Sequence, residues 1–369
     1  MRVLHVAETF KGGVATVLNS LATYQLNTNG IERVEVIVPR EHVSEVSPNL
    51  EGHVTMFSRK KRGVGALLNL GATLYKNIKK YNPDIVHLHS TFAGLIGRIL
   101  IATVFRSRNI KVIYCPHAFA FLMDSHKLKK ILYVKCEIIL SRYTDKIICV
   151  GKSEYIDAAN VGIPREKMVV INNGVKIPNV SNNINCNDCD EYVLLYVGRF
   201  DYQKGTDIFI DALKVIDSKS LNYKIKAIMV GESVTDNADY QNIVFKNINV
   251  IFTGWISQKL LFDYYLQANC LVIPSRWEGL AMVPLEAISY KLPVIASSIS
   301  AFQEINDLSG LSFTNGDANS LATLLSNLNN HDLNRIKDIL YEKVATEYTQ
   351  ESMNEETFSV YKNALSQEK

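Results

Sequence analysis

The chain has 369 residues, 47% of them apolar and 21% charged, and a formal net charge of +3. At roughly 150 residues per domain this length makes two domains, each able to bury its own core, and the composition excludes extended disorder, collagen and coiled coil. The charge is shared unevenly: residues 1–180 carry 25 Lys and Arg against 13 Asp and Glu, whereas residues 181–369 carry 15 against 24.

The start, MRVLHVAET, reads as a strand with no basic region ahead of a long apolar run, so no signal peptide is expected. The six cysteines are then read as reduced thiols of a cytosolic protein. Short apolar runs follow at Val3–Ala7, Val34–Val38, Val54–Phe57, Ile85–Leu88, Val112–Cys115, Lys146–Val150 and Val169–Ile171. Helix-period segments such as Gly65–Lys80 and Lys127–Arg142 lie between them, the βαβ pattern of a parallel sheet. The apolar stretch Gly94–Phe105 carries Arg98 and is too short to span a membrane. A polar, Asn-rich segment over 173–191 breaks the pattern and reads as a linker between a domain over 1–172 and one over 192–348. The second series has strands near Val193–Val197, Ile225–Val230, Val250–Phe252, Cys270–Ile273, Val294–Ala296 and Leu311–Phe313. Helical segments His331–Lys343 and Thr349–Ser366 close the chain, expected to pack across the domain junction, with 349–369 returning toward the first domain. Two doubly wound domains place the carboxyl ends of their strands at a ligand cleft.

The segment Ile273–Ser297 carries the most chemistry. It reads strand, loop, helix, strand, with Gly279 in the loop and Pro284 suited to a first helical turn. The helix is expected to begin near Ala281–Val283, and its free amides make a phosphate site. Glu278 precedes the helix and Glu286 lies at or just after its first turn. A carboxylate accepts hydrogen bonds from paired sugar hydroxyls; equally, each acid alone suits a loop or a helix start. Arg199 leaves a strand and Lys204 enters the next helix, so both are placed to meet an anion.

The pair Glu278 and Glu286, with Gly279 between them and Pro293-Val294-Ile295-Ala296-Ser297 after, resembles the glutamate pair of retaining glycosyltransferases. Further motifs fall in the order of the bacterial family 4, GT-B enzymes. These are Gly12-Gly13, Asp84-Ile85-Val86-His87-Leu88-His89-Ser90, Pro116-His117, Asn173-Gly174-Val175, Val197-Gly198-Arg199, Lys204-Gly205, Gly231 and Gly254. The resemblance spans nearly the whole chain. It implies that Arg199 and Lys204 hold a donor diphosphate, that Glu286 holds the nucleotide ribose and that Glu278 contacts the donor sugar. Amides of Leu280, Ala281, Met282 and Val283 complete the cradle, Gly12 and Gly13 let backbone approach the sugar, and His117 supports the transition state. His87 is read as structural. The implied donor is a nucleotide diphosphate sugar, with no other cofactor and no metal, and the acceptor is a lipid-linked or growing polysaccharide. A nucleotide-sugar 2-epimerase shares the frame and is the alternative; a dehydrogenase is disfavoured because GGVAT is not GxGxxG.

The chain departs from the family at Ser298-Ile299-Ser300-Ala301-Phe302-Gln303-Glu304, where many members have two glycines before the glutamate. Trp277 reads either as a wall of the sugar pocket or as a cap on the core. In the linker, Cys186 and Cys189 form a CxxC, and Asp188 and Asp190 a DxD; both are read as decoys, since no second ligand pair accompanies them. Between Arg59 and Lys135 there are 15 basic residues and only Asp84 and Asp124 as acids. No zinc-finger, RRM or helix-turn-helix pattern accompanies that charge, so no nucleic acid is expected. The run Arg59-Lys60-Lys61-Arg62, leading into Leu67, Leu68, Leu70, Leu74 and Ile78, instead suggests peripheral contact with the inner face of the cytoplasmic membrane. The competing reading is a solvated basic face over a helix whose apolar residues belong to the core.

Overall fold

The computed structural model describes residues 1–59, 63–179, 190–233, 240–279 and 281–366. The chain divides into two units, Met1–Gly174 with Gln350–Lys369, and Val175–Thr349. The CxxC cysteines, Asp188 and the cations Lys60, Lys61 and Arg62 lie outside the described residues. The described cysteines, Cys115, Cys136, Cys149 and Cys270, are free thiols.

The first unit is built on seven parallel strands: β1 (Arg2–Ala7), β2 (Arg33–Pro39), β3 (Val54–Phe57), β4 (Ile85–His89), β5 (Lys111–Cys115), β6 (Lys146–Cys149) and β7 (Met168–Val170), in the order β3-β2-β1-β4-β5-β6-β7. The crossover helices are α1 (Gly13–Leu26), α2 (Val64–Tyr81), α3 (Thr91–Val104), α4 (Lys127–Ser141) and α5 (Lys152–Asn160). Every residue of β4 and β5 is buried, as expected for central strands covered on both faces. Gly94 and Gly97 of α3 let that helix sit close on the sheet: a Cβ would lie 2.3 Å from the Tyr114 ring at Gly94, and 2.4 Å from Leu88 at Gly97. Arg98, fully buried, donates to Glu137 of α4 at 2.9 Å and stacks over the Tyr114 ring.

The second unit has six parallel strands in the order β10-β9-β8-β11-β12-β13. They are β8 (Glu191–Val197), β9 (Lys224–Val230), β10 (Asn249–Gly254), β11 (Cys270–Ile273), β12 (Val294–Ser297) and β13 (Ser312–Phe313). Around them lie α6 (Thr206–Asp217), α7 (Gln258–Gln267), α8 (Met282–Ser289), α9 (Gln303–Ser309), α10 (Ala318–Leu325) and α11 (Leu333–Glu347). The last helix, α12 (Gln350–Ser366), belongs to the first unit, where it packs on α1 and β5. The two C-terminal helices are thus divided between units: α11 packs on α8 and α9 of the second.

In both sheets the strand order reverses beside the first strand, between β1 and β4 and between β8 and β11. Loops leaving the carboxyl ends of such a pair part to opposite faces and open a crevice there. The loops after β1, β8 and β11 hold Gly12, Arg199 with Lys204, and Glu278 respectively.

Part of the basic stretch of the first unit is taken up by the fold. Arg59, 13% exposed, donates to Glu8 at 2.7 Å, and Lys111 lies 3.9 Å from Asp145, both as part of the fold. Leu70, Leu74 and Ile78 of α2 are fully buried in the core, leaving Leu68 as the outward leucine. The amphipathic pattern of α2 is therefore satisfied largely by its own sheet.

Candidate active site

The second unit gathers the acidic and basic candidates at its strand reversal. Lys204 Nζ donates to Glu278 Oε1 at 2.5 Å, and Ser275 Oγ donates to the same oxygen at 3.0 Å. The side chains of this ion pair are 23% and 9% exposed. Arg199 lies 3.0 Å from Asp201 Oδ2 and donates to Gln203 Oε1 at 3.0 Å, with its guanidinium still half-exposed. Gln203 reaches across with its amide to the carbonyl of Trp277, so one side chain ties the Arg199 loop to the Glu278 loop.

Local sequence explains the rigidity of this arrangement. Gly205 caps α6 at φ +67°, and a Cβ there would fall 1.9 Å from the Pro274 carbonyl oxygen. Only glycine tolerates both the left-handed backbone and the contact. Gly231, at φ +132°, likewise lies under the Gly198 carbonyl, where a Cβ would approach to 1.9 Å. Asp201 accepts from the Lys204 amide at 2.9 Å and closes the turn between the two cations.

The helix α8 begins at Met282, with Ala281 as its cap and no side chain bonded to its first amides. Ala281 and Val283 line the same crevice as Lys204, Ser275 and Tyr196. Met282 is buried and is not among the residues lining that crevice. Leu280 lies outside the described residues. Glu286 sits one turn into α8, where the Tyr265 phenol lies 3.4 Å from its carboxylate; burial raises its pKa above the ordinary carboxylate value. It is not among the residues lining the Lys204 crevice. The sequence pair Glu278 and Glu286 thus separates into a carboxylate bonded to lysine and one held against a tyrosine.

Trp277 packs with its ring 6.0 Å from Tyr202, and its Nε1 is buried without a partner among the described residues. Glu304, in the segment that departs from the family pattern, pairs with Lys343 at 2.7 Å and accepts from Tyr348.

In the first unit, Gly12 caps α1 at φ +55° with open space where a Cβ would stand, and Gly13 is the first helical residue. His117 follows β5 at φ +53°, with Ala118 at φ +93° beside it. The Glu154 carboxylate accepts from the Ala118 and Val150 amides, both at 2.8 Å, which holds this strained turn. Burial raises the Glu154 pKa to about 7.

His117 is not a lone histidine. His5, aligned with His87 across the β1–β4 ladder, lies 2.8 Å from the Gln25 side-chain oxygen. That oxygen only accepts, so His5 Nε2 donates and its Nδ1 accepts from His89 Nε2 at 3.1 Å. His89 Nδ1 then accepts from His117 Nε2 at 3.0 Å, which leaves His117 Nδ1 with a lone pair. Burial keeps all of these rings neutral, lowering His5 and His117 to about 4 and His89 well below the usual value. His87 bonds Tyr361 of α12 at 2.6 Å. Possible ligand atoms of His5, His87 and His89 lie within 4.8 Å of one another. His5 and Gln25 carry no motif; the β1–β4 pairing brings His5 beside His89, and helix α1 brings Gln25 to His5.

Comparison with known proteins gives three consistent findings. A family model described as glycosyl transferases group 1 matches residues 191–331, and one for glycosyltransferase family 4 matches residues 11–177. The chain is 34% identical to an uncharacterized 41.2 kDa protein in the cps region of Klebsiella pneumoniae, over 98% of this chain and 100% of that one. It is 30% identical to the UDP-Gal:alpha-D-GlcNAc-diphosphoundecaprenol alpha-1,3-galactosyltransferase of Escherichia coli, over 62% of this chain and 61% of that one. Among solved structures, Anabaena Alr3699/HepE in complex with UDP-glucose superposes with a TM-score of 0.75 at 18% identity, covering 98% of this chain and 100% of that one.

Proposed function

The chain belongs to the family 4, group 1 glycosyltransferases and has their GT-B fold, and we propose that it moves a sugar from a nucleotide diphosphate donor to a lipid-linked or growing surface-polysaccharide acceptor with retention at the anomeric carbon. The observation that carries this reading is the Lys204–Glu278 ion pair beside the uncapped start of α8. A fixed lysine, Arg199 and the helix amides meet negative charge as it develops on the leaving diphosphate. The bond from the anomeric carbon to the diphosphate oxygen breaks. The acceptor oxygen bonds that carbon on the same face, and its proton passes to the departing diphosphate. Glu278 orients the donor sugar through its hydroxyls, and Glu286 serves the nucleotide ribose. His117 supports the transition state by hydrogen bonding through the nitrogen that its tautomer leaves free. Neither metal nor further cofactor takes part. A lipid-linked acceptor is supported by the E. coli relative, whose name specifies a diphosphoundecaprenol substrate, and it brings the reaction to a membrane surface.

The test is a thermal-shift panel of UDP-, GDP-, ADP- and TDP-sugars followed by transfer assays with the best ligand. A true donor at about 100 times its Kd raises stability by about 2.7 kcal/mol. The Arg199→Ala/Lys204→Ala variant is expected to lose both that shift and transfer, and EDTA is expected to leave wild-type transfer intact. Near-normal transfer by the double variant refutes the site. Loss of activity with EDTA, restored by one divalent ion, refutes metal independence. Epimerisation of the donor sugar without acceptor favours the epimerase.

A further inference from the structure

We propose that Gln25 and Tyr361 are positioning residues that act through His5 and His89 to fix which nitrogen of His117 carries its proton. His117 is thereby made a hydrogen-bond acceptor, and the ligand group that it meets is a hydroxyl.

A neutral imidazole has one N–H and one lone pair. His5, His89 and His117 are joined nitrogen to nitrogen at 3.1 and 3.0 Å, so each link needs one N–H facing one lone pair. Only two patterns satisfy both links: every N–H directed toward Gln25, or every N–H directed away from it. A mixed pattern sets two N–H groups, or two lone pairs, against each other. His5 and His89 are 0% and 1% exposed, so no water relieves that mismatch. The three rings therefore switch together, and whatever fixes one end fixes the other.

The fixed end is Gln25, on α1. Its buried amide has an oxygen and an NH2 to offer, and its second neighbour decides which one faces His5. Gln25 Nε2 lies 3.5 Å from the Tyr361 hydroxyl, and that hydroxyl lies 2.6 Å from His87 Nδ1. A separation of 2.6 Å is short for an N–H donor and ordinary for an O–H donor, so the phenol gives its proton to His87. Burial raises the Tyr361 pKa above its ordinary value and keeps that proton on the phenol. The phenol oxygen is left as an acceptor, which suits the amide NH2. Turned over, the amide would set its oxygen against the phenol oxygen. Gln25 Oε1 therefore faces His5 at 2.8 Å, and each N–H of the series points toward it. His87 Nε2 has no partner among the described residues in either pattern, so it does not choose between them.

The turn that carries His117 is held separately, by Glu154 on the Ala118 amide. A change at Gln25 or Tyr361 thus alters the proton pattern without releasing the turn. With its proton on Nε2, His117 offers a lone pair at Nδ1, which accepts from a sugar hydroxyl and repels a phosphate or carboxylate oxygen. This last step rests on the proposed transfer reaction; the tautomer does not.

The experiment is nuclear magnetic resonance of the full chain with isotope-labelled histidine ring nitrogens, with and without EDTA. In the wild type, His117 with a bare Nδ1 is expected to exceed the other tautomer by about tenfold or more. Tyr361→Phe frees the amide and is expected to bring the two forms to rough parity. Gln25→Leu removes the acceptor and is expected to reverse the excess. Ser20→Ala loses another contact of α12, from Asn354 at 3.2 Å, and is expected to leave the pattern unchanged. At parity half the molecules present the bare nitrogen, so kcat for transfer is expected to fall about twofold in Tyr361→Phe, with the UDP thermal shift unaltered. A wild-type His117 protonated on Nδ1 overturns the proposal, as does a pattern that neither Tyr361→Phe nor Gln25→Leu moves. A pattern that EDTA changes overturns it in favour of a metal held by His5, His87 and His89. The expected tautomer shifts with unchanged kcat uphold the positioning role and strike His117 from the proposed reaction.

Discussion

Replacing Glu278 with Gln keeps the shape of the side chain and removes the charge that neutralises Lys204. The two groups lie 2.5 Å apart, 23% and 9% exposed. Unit charges about 4 Å apart at an effective dielectric of about 20 attract by roughly 4 kcal/mol. Solvent reaching Lys204 and the desolvation of both groups offset most of that, leaving about 1 kcal/mol. A diphosphate drawing Lys204 away from Glu278 must overcome this remainder. Glu278→Gln is therefore expected to tighten nucleoside diphosphate binding about fivefold. It should at the same time slow transfer about a hundredfold, because the carboxylate that orients the sugar is gone. Ser275, which donates to the same oxygen at 3.0 Å, can still hold the Gln carbonyl in place. Isothermal titration and steady-state rates on one preparation measure both quantities. Unchanged or weaker nucleoside diphosphate affinity, in a variant with native Tm, would falsify the competition of carboxylate and diphosphate for Lys204.

Gly205→Ala is expected to destabilise the chain by about 3 kcal/mol, since it adds left-handed strain and drives a Cβ to 1.9 Å from the Pro274 carbonyl; urea melts measure this, and a midpoint equal to wild type refutes it. The buried histidines make the fold acid-labile. His5, His87, His89 and His117 have folded pKa values depressed below the ordinary 6.5, so as pH falls below 6.5 the unfolded chain gains protons that the folded chain refuses, and each group removes about 1.4 kcal/mol of stability per pH unit. Glu154 opposes this: its folded pKa, raised from 4.5 to about 7, lets the native chain keep a proton that the unfolded chain releases between those values. Urea midpoints are thus expected to fall from pH 6.5 to 5, and to fall more steeply in Glu154→Gln. Identical slopes in the two proteins would show that Glu154 does not titrate in that window.

Secondary structure was readable because both sheets are parallel and buried. Central strands such as Ile85–Leu88 appear in the sequence as short apolar runs, and each expected strand is found with its ends displaced by no more than two residues. The start of α8 was readable from Pro284 and Gly279, since helix starts obey local rules. Pairings between distant segments were not. Nothing near Lys204 signals that a carboxylate 74 residues away will hold it. The histidine series was hidden for the same reason, with His5 on one strand, His89 on its neighbour and Gln25 on a helix. For α2 and α4, periodicity reported apolar side chains but not how many of them the sheet would accept. The basic, leucine-rich α2 uses its apolar side chains internally, whereas α4 has more than its sheet covers.

Tyr361 bonds His87, and Asn354 and Met353 reach Ser20 and the Gly174 amide. These three contacts tie the last helix to β4, to α1 and to the segment after β7. During synthesis the seven-stranded sheet emerges before the whole of the second unit, so the first unit gains α12 only after residues 175–349 have followed. A frameshift or premature stop after residue 349 would leave the second unit's sequence intact and still deprive the first of the helix that covers β5 and α1.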